Sequence, residues 1–467
     1  MLNNLPPELL ISLQNVKGFN EEAFKAVHQS GEQIVSIRFN PVKSGQLTTN
    51  NGQLEKVPWS SNGYYLAERP SFTLDPLFHA GAYYVQEASS MFLEEALKQI
   101  VDLSQPIKVL DLCAAPGGKS TLIQSVISKE SLLVSNEVIK TRVNILAENI
   151  AKWGVANVIV TNNDPKDFQR LQNYFDVIVV DAPCSGSGLF RKDANAVDEW
   201  SENNVALCAQ RQQRILADIM PSLKDGGVLI YSTCSYSKEE DEEIADWLQE
   251  EFKVESVKLS LSAGQAGLDE SWGIIETVSE RSGSYGYRFY PDKVKGEGFF
   301  IAAFRKSHGA AISEFKNQKS KIKNKPALTA KEIETVKPYL ANADNFFFIK
   351  QNEEAIAIPN YLEDDLGIIQ SSLYIKKAGV RLGSIIRNEL IPAHELAVSN
   401  IIDPAVPKLE ADHETALQYL RKADINITSS IKGWVLLTHQ QLPLGWIKIM
   451  PNRINNYYPK EWRILNK

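Results

Sequence analysis

Two of the four cysteines follow apolar runs and stand among small residues. Cys184 lies in the segment Asp181–Gly188 (D-A-P-C-S-G-S-G), and Cys234 lies in the segment Ser232–Ser235 (S-T-C-S). A single cysteine is more often a buried, inert side chain than a reactive one. Two cysteines at the ends of neighbouring strands, on one edge of a sheet, favour chemistry instead.

A thiolate and a carboxylate in such a place can activate a pyrimidine ring. The ring carbon C5 is a poor nucleophile, but addition of a thiolate at C6 converts C5 into an enamine carbon that can accept a methyl group. A carboxyl group such as Asp181 could take up charge at N3, and a base must later remove the C5 proton. Because a free thiol has a pKa of about 8.5, cations such as Lys119, Arg191 or Lys192 would help to form the thiolate.

A third segment, Asp111–Lys119 (D-L-C-A-A-P-G-G-K), joins an apolar run to a helical pattern that begins at Ser120. This pattern predicts a strand, a turn and a helix, the arrangement with which doubly wound sheets bind nucleotide-like cofactors. The spacing matches neither the dinucleotide fingerprint nor the P-loop. Pro116 beside only two glycines predicts a broad loop for a ligand without pyrophosphate, and S-adenosylmethionine is the candidate. An ordinary glycine-rich turn is the alternative.

The elements that position these residues alternate between strand and helix, which indicates an α/β fold with a parallel sheet. The predicted strands are Val109–Cys113, Leu132–Asn136, Asn157–Thr161, Val177–Asp181, Gly227–Ser232 and Phe299–Phe304. Glu137 ends the second strand, where an acidic side chain can accept hydrogen bonds from a ribose. Asp164 ends the third, where a carboxylate could hold the amine of an adenine. Either residue could instead be a helix N-cap.

Residues 1–80 are predicted to form a small mixed α/β domain. Helical spacing occurs at Leu9–Leu13 and Glu21–Val27, and the alternation over Ile34–Asn40 predicts a strand.

The segment that follows leads into a predicted helix at Met91–Ile100. Ser89 or Ser90 could cap this helix, which would place Gln86 and Glu87 just before a helix that faces the glycine loop. A solvent-exposed turn is the alternative for these two residues.

Composition limits the class of protein. The chain has 467 residues, of which 43% are hydrophobic and 23% charged, as in a soluble protein of two or three domains. No apolar run approaches the roughly 20 residues of a membrane span, and the N-terminal residues do not resemble a secretory signal. We therefore expect a cytoplasmic protein without a membrane partner.

The four cysteines are too widely spaced for a disulfide framework or a zinc site, so we expect no metal. Cys113 and Cys208 are interpreted as inert.

Charge is unevenly distributed along the chain, whose formal net charge is -7. Residues 305–467 contain 23 Lys and Arg against 17 Asp and Glu, whereas residues 1–304 contain 27 against 40. A basic C-terminal third is compatible with an appended RNA-binding part. A solvated lysine face is the more common explanation of such an excess.

In combination, the three motifs resemble those of the NOL/NOP/Sun RNA cytosine-5 methyltransferases over about residues 30–305. The resemblance implies a doubly wound, Rossmann-like S-adenosylmethionine-dependent methyltransferase domain at residues 81–306. It also implies that Cys234 is the nucleophile, that Cys184 aids product release, and that Asp181 and Lys119 are catalytic. The cofactor-binding residues that it implies are Cys113, Ala114, Ala115, Pro116, Gly117, Gly118, Lys119, Glu137, Arg142, Asp164 and Asp181.

Beyond residue 306 we predict a basic linker at 307–330, a ferredoxin-like or connecting region at 331–390 and a PUA-like RNA-binding domain at 391–467. Strand-like segments occur at Phe346–Ile349, Ala355–Ile358, Val380–Gly383 and Gly433–Leu437. The C-terminal segment, which interleaves aromatic side chains with Lys and Arg, resembles that of bacterial RsmF-type rRNA methyltransferases. Aromatics of this kind suit base stacking, although a small β-barrel core explains most of them equally well.

The sequence therefore predicts a monomeric enzyme, an S-adenosylmethionine-dependent RNA cytosine-5 methyltransferase that acts on small-subunit (16S) rRNA. A tRNA-directed member of the same family is the first alternative. A non-catalytic RNA-binding protein of ribosome assembly is another, but both cysteines are intact. An amino-group methyltransferase is expected to have an N/D-P-P-Y/F segment where this chain has Asp181–Cys184.

Overall fold

The computed structural model describes residues 5–43, 54–260, 270–308 and 327–465. The strands are β1 Val35–Phe39, β2 Gly63–Leu66, β3 Tyr83–Val85, β4 Lys108–Asp111, β5 Leu132–Asn136, β6 Val158–Thr161, β7 Phe175–Asp181, β8 Leu223–Thr233, β9 Val254–Ser256, β10 Ile275–Val278, β11 Tyr285–Phe289, β12 Phe299–Lys306, β13 Phe346–Gln351, β14 Glu354–Pro359, β15 Ile375–Ala378, β16 Val380–Ile386, β17 Glu389–Pro392, β18 Lys408–Glu410, β19 Gly433–His439, β20 Leu442–Ile449 and β21 Ile454–Asn456. The α-helices are α1 Pro7–Leu13, α2 Glu21–Gln29, α3 Pro76–His79, α4 Leu93–Ile100, α5 Gly118–Val126, α6 Lys140–Trp153, α7 Ala194–Glu199, α8 Glu202–Ile219, α9 Glu242–Glu251, α10 Ala330–Val336, α11 Glu363–Ser372, α12 His394–Val398 and α13 His413–Leu420. Most of the predicted linker, residues 309–326, lies outside the described residues.

The central sheet has the doubly wound order that the alternating pattern predicts. Strands β6-β5-β4-β7-β8 are parallel, and β12, β11 and β10 continue the sheet in antiparallel fashion. The chain adds β5 and β6 on one side of β4 and then crosses to β7 and β8 on the other. The switch point therefore lies between β4 and β7, where such sheets bind ligands.

Both faces of this sheet are covered, which explains why its strands are apolar runs rather than alternating patterns. Neighbouring residues of one strand belong to different cores: Leu133 packs in one apolar cluster and Val134 in the other. All six predicted strands are present, although β7 and β8 begin earlier than predicted.

The N-terminal strands form a separate antiparallel sheet of order β2-β1-β3. Arg38, on β1, connects this sheet to α5 and α6, because its Nη2 donates to Thr121 Oγ1 of α5 at 2.6 Å and its guanidinium lies 4.7 Å from the Trp153 ring of α6. Its Nε donates to Gln86 Oε1 at 2.8 Å. Gln86 is thus buried next to α5 and is not part of an exposed turn.

The predicted caps of the next helix are wrong. A 3-10 turn, Ser89–Phe92, precedes α4, and both serine hydroxyls donate to carbonyl oxygens, Ser89 to Glu297 and Ser90 to Glu87. The cap is the Glu87 carboxylate, which accepts the backbone N–H groups of Ser89 and Ser90 at 2.9 Å each. A longer acidic side chain two residues earlier therefore takes the place of the serine hydroxyls.

Residues 331–390 do not have a ferredoxin-like arrangement. Their four-stranded antiparallel sheet has the order β13-β14-β16-β17, in which strands follow one another much as they do along the chain. A ferredoxin-like sheet would interleave its strands through crossover helices. Strand β15 leaves this sheet altogether and pairs antiparallel with β6, so that it extends the central sheet.

The last sheet has the order β18-β19-β20-β21, with β18 and β19 parallel and the other pairs antiparallel. Its core contains Tyr419, Val435, Leu437 and Ile447, all fully buried. Within the ranges described above, no helix is both long enough and apolar enough to span a membrane.

Lys43 lies where three parts of the molecule meet. Its ammonium group donates to three backbone carbonyls, at 2.9 Å to Ala80, 2.6 Å to Lys152 and 2.7 Å to Val398. These carbonyls belong to the N-terminal region, to α6 of the central domain and to α12 of the C-terminal region. Burial lowers the pKa of Lys43 to about 7.

Candidate active site

The glycine loop lies at the switch point, between the end of β4 and the start of α5. Gly117 has a φ of +116°, a conformation that favours glycine. The loop is held from α6, since Arg142 Nη2 donates to the Ala115 carbonyl at 2.6 Å and Asn149 Nδ2 to the Pro116 carbonyl at 2.8 Å. Arg142, a predicted cofactor-binding residue, thus contacts the loop backbone itself.

Asp111, the last residue of β4, is fully buried. Ser120 Oγ donates to its Oδ2 at 2.7 Å, and burial raises the pKa of the Asp111 carboxyl to about 7. Within the described residues its other oxygen, Oδ1, has no hydrogen-bond partner. A buried carboxyl oxygen without a donor is costly, so it is suited to a polar group of a ligand.

Glu137 follows β5 and is 3% exposed. Its Oε1 accepts the Ile139 N–H at 2.9 Å, and its Oε2 lies 3.5 Å from Arg142 Nη1. The preceding residue, Asn136, links this strand end to its neighbours, because its Nδ2 donates to the Leu112 carbonyl at 3.1 Å and to the Asn163 carbonyl at 3.0 Å.

Asp164 lies three residues after the end of β6 and is an N-cap. Its carboxylate accepts the Lys166 N–H at 3.2 Å at the start of the 3-10 turn Pro165–Arg170, and Arg214 lies 4.0 Å away. A contact with an adenine stays a prediction for this residue.

These side chains fit S-adenosylmethionine. Glu137 offers acceptors for two ribose hydroxyls, and Asp111 offers an acceptor for an amino group. At Gly118 a Cβ would lie 3.3 Å from the Tyr84 ring.

Replacing Glu137 with alanine should weaken S-adenosylmethionine binding at least tenfold. Hydrogen bonds to a carboxylate are worth about 1.5–3 kcal/mol each, and two would be lost. Calorimetric titration of the folded variant measures this directly. Glu148→Ala is the matched control, because Glu148 pairs with Lys152 on α6 and should leave the affinity unchanged. Equal affinities in the two variants would contradict the ribose contact.

The two strand-end cysteines are in contact. Cys184 Sγ and Cys234 Sγ lie 3.0 Å apart, and both thiols are free. The hydrogen bond to Cys234, together with burial, raises the pKa of Cys184 well above its usual value. Either of the two sulfurs can be the donor of this hydrogen bond.

A cation and a carboxylate stand beside this pair. Lys119 Nζ lies 2.8 Å from Asp181 Oδ2, and Ser232 Oγ donates to Asp181 Oδ1 at 2.9 Å. Burial alone would lower the pKa of Lys119, but attraction to Asp181 outweighs it and Cys234 adds to that attraction, so the pKa is raised. Lys119 thus stays protonated against Asp181.

Arg191 does not have the role in thiolate formation that its position suggested. Its side chain is 4% exposed, donates to the carbonyls of Glu32 and Gly296, and lies 3.5 Å from Glu297. It therefore holds the segment after Cys184 against two other segments of the chain. Lys192 is exposed.

The other two cysteines lie apart from this pair. Burial raises the pKa of the Cys113 thiol in the glycine loop, and Cys208 is buried on α8. No group of three or more metal-ligating side chains occurs in the described part of the chain.

Sequence reasoning missed Glu240. This residue is fully buried below both cysteine segments, and its carboxylate accepts hydrogen bonds from Ser185 and Ser235. It belongs to the acidic run Glu239–Glu243, which a helical pattern places on a solvated helix. The only sequence feature that could have pointed to Glu240 was its position, five residues after the serine that follows Cys234.

With this geometry in hand, comparison with known proteins identifies the family. A family model described as 16S rRNA methyltransferase RsmB/F matches residues 98–305, the N-terminal domain of 16S rRNA methyltransferase RsmF matches 5–88, and the methyltransferase RsmF PUA domain matches 406–464. A ribosomal RNA small subunit methyltransferase F from Escherichia fergusonii is 30% identical over 91% of this chain and 89% of its own. The chain belongs to this methyltransferase family.

A second family member, from Shewanella piezotolerans, is 29% identical over 91% of this chain and 90% of its own length. Among solved structures, a methyltransferase homologue from Pyrococcus horikoshii is 29% identical and has a TM-score of 0.50, covering 65% of this chain and all of that one. The structure of NSun6 from the same organism, solved with SFG, has a TM-score of 0.52 and is 21% identical. The match covers 66% of this chain and all of the NSun6 chain, and at this identity it supports only a shared fold. The predicted Rossmann-like methyltransferase fold with a C-terminal PUA-like region is confirmed.

Proposed function

We propose that this chain is an S-adenosylmethionine-dependent RNA cytosine-5 methyltransferase that modifies small-subunit rRNA. The observation that carries the proposal is the contact of the Cys184 and Cys234 sulfurs, 3.0 Å apart, beside the Lys119–Asp181 pair. The printed name of the relatives, ribosomal RNA small subunit methyltransferase F, supports rRNA as the substrate. The PUA match and the basic C-terminal third support RNA binding.

The cofactor supplies an electrophilic methyl group, and the residues around the switch point hold it. Glu137 would bind the ribose hydroxyls, and the loop from Cys113 to Gly118 would hold the rest of the cofactor. Asp181 ends β7, the strand that pairs with β4, and would contact both the cofactor and the target base. Lys119 neutralises Asp181 from the first turn of α5.

Covalent catalysis begins at Cys234. Its thiolate forms a bond to C6 of the cytosine, and the charge that develops on the ring is taken up at N3 through a proton held by the Lys119–Asp181 pair. The resulting enamine makes C5 the nucleophile for the methyl group. Removal of the C5 proton then re-forms the C5–C6 double bond, and the bond between C6 and Cys234 Sγ breaks.

Cys184 serves the last of these steps. Its sulfur is held next to the Cys234 sulfur, and therefore next to C6 and C5 of a base bonded to Cys234. While Cys234 is a thiolate, Cys184 donates a hydrogen bond to it. Once Cys234 is bonded to carbon, that hydrogen bond is lost; Cys184 then gives its proton to solvent, takes the C5 proton as a thiolate and returns to the thiol form. The two cysteines thus have unequal roles.

The test is methylation of defined RNAs by the purified protein. With S-adenosylmethionine present we expect 5-methylcytidine to form in 16S rRNA, either naked or in the small subunit, and not in tRNA. Mass spectrometry of the digested RNA measures the product, and bisulfite sequencing of RNA from a deletion strain locates the cytosine. Product in tRNA alone would favour the tRNA-directed alternative, and RNA binding without any product would favour the ribosome-assembly alternative.

A further inference from the structure

The Glu240 carboxylate connects the two segments that carry the cysteines. Its Oε1 accepts the Ser185 N–H at 2.8 Å, and its Oε2 accepts the hydroxyls of Ser185 at 2.5 Å and Ser235 at 2.7 Å. Ser185 directly follows Cys184, and Ser235 directly follows Cys234. One carboxylate therefore binds the residues next to both sulfurs.

A fourth donor to the Glu240 carboxylate also contacts the segment that carries Cys184. Gln212 Nε2, on α8, donates to Glu240 Oε1 at 3.0 Å and to the carbonyl of Pro183, the residue before Cys184, at 3.1 Å. The backbone of Glu240 is itself tied to the central sheet, because Tyr231 on β8 donates its hydroxyl to the Glu240 carbonyl at 2.6 Å. Hydrogen bonds therefore hold both the backbone and the side chain of Glu240 in place.

The carboxylate is buried without a cation. Among the described residues, no lysine or arginine forms an ion pair with Glu240, whereas the next two residues, Asp241 and Glu242, both lie against Arg288. Burial raises the pKa of Glu240. A buried carboxylate is expensive, and here only the donors of the cysteine segments and Gln212 offset that cost. Such an arrangement stabilises one particular position of those segments.

We propose that Glu240 is a positioning residue that holds the Cys184 and Cys234 sulfurs in contact. The effect on turnover rests on the proposed function of the two cysteines, but the effect on their distance does not. Glu240 is fully buried and does not itself touch the substrate or the cofactor. Without its carboxylate the segments after β7 and β8 lose their common acceptor, and the two sulfurs move apart.

The test measures the distance between the sulfurs as well as turnover. Diamide oxidises two adjacent thiols: a bond forms between the sulfurs, and diamide takes up the two protons and two electrons that they lose. In the full-length protein without RNA, we expect the Cys184–Cys234 bond to form at least tenfold more slowly in Glu240→Gln than in the wild type. Mass spectrometry of the tryptic peptides measures this rate. The Gln side chain keeps the shape, but when its amide oxygen faces the Ser185 N–H, its NH2 group faces the Ser185 and Ser235 hydroxyls, which thereby lose their shared acceptor.

Turnover should change in parallel. We expect kcat of Glu240→Gln to fall at least tenfold, with KM for RNA and the affinity for S-adenosylmethionine unchanged. Glu239→Gln is the matched control, because Glu239 is the exposed neighbour of Glu240 and should alter neither rate. Ser185→Ala, which removes one hydroxyl donor, should show a smaller effect in the same direction if Glu240→Gln fails to fold.

The cross-linking rate and kcat together distinguish failure of the positioning role from failure of the proposed reaction. An unchanged cross-linking rate in a folded variant that still binds S-adenosylmethionine overturns the proposal, whatever happens to kcat. Slower cross-linking with lower kcat supports it. Slower cross-linking with unchanged methylation supports the positioning role and contradicts the assigned role of the cysteine pair in the proposed reaction.

Discussion

Replacing Cys234 with alanine should reduce methyl transfer to background and leave no covalent enzyme–RNA adduct, because no nucleophile remains to attack C6. Replacing Cys184 with alanine should instead accumulate an adduct that survives denaturant, since addition and methylation proceed while release stalls. The physical reason is the contact of the two sulfurs, 3.0 Å apart, which places Cys184 beside the ring carbons of a base bonded to Cys234. Denaturing electrophoresis of each variant with radiolabelled RNA and S-adenosylmethionine measures the adduct.

A matched control is available on α8. Cys208 is buried there and its sulfur lies 3.8 Å from Asn204 Oδ1, so Cys208→Ala should methylate RNA normally and form no stable adduct. An adduct in the Cys234 variant and none in the Cys184 variant would reverse the assignment of the two roles.

Replacing Arg288 with methionine should lower the free energy of unfolding of the central domain by about 3–5 kcal/mol, the usual effect of leaving a buried charge without its partner. Arg288 is 1% exposed; its Nη2 lies 3.1 Å from Asp241 Oδ2, and its Nε donates to Glu242 Oε1 at 2.7 Å. Its Nη1 also donates to the Tyr236 carbonyl at 2.8 Å, two residues after Cys234. Urea denaturation followed by tryptophan fluorescence measures the loss.

Two further variants test whether the lost charge pairing is what destabilises Arg288→Met. Arg281→Met removes an exposed arginine that pairs with the exposed Glu250, and such pairs are worth only about 0–1 kcal/mol. Arg281 also lies 3.7 Å from the buried Asp246, whose carboxylate keeps its hydrogen bonds from Ser282 in this variant. In the triple variant Asp241→Asn, Glu242→Gln, Arg288→Met the buried charges are removed together, and most of the stability should return. A triple variant as unstable as Arg288→Met would show that packing of the arginine, and not its charge, matters.

The parts of the fold that the sequence predicts well are those set by short-range pattern. A strand covered on both faces must be an apolar run, so β4 to β8 could be recognised without knowledge of their neighbours. The order of the motifs along the chain then placed the glycine loop, Asp181 and the cysteines at one edge of the sheet. Resemblance to a known family supplied the roles, which the pattern alone left open.

The features that could not be predicted depend on contacts between distant segments. Glu87 and Ser89 both form hydrogen bonds with the backbone of Glu297, and Arg191 is buried against the side chain of the same residue, because residues far apart in the chain pack together. Strand β15 joins β6 across more than two hundred residues. The role of Glu240 is of the same kind, since its acidic neighbours suggest a solvated helix face and only the folded chain shows the two serines around it.

The three carbonyls around Lys43 affect how a large RNA can bind to the protein. Together with the apolar cluster that Ile159 shares with Ile356 and Leu366, they join the C-terminal region to the central domain through a buried contact, and domains joined in this way do not move freely. From these contacts we expect the distance between the PUA-like sheet and the cysteine pair to vary little. If an RNA contacts the PUA-like sheet and the cysteine pair at the same time, its own folded shape must match the distance between them. The shape of the RNA would then decide which cytosine reaches Cys234.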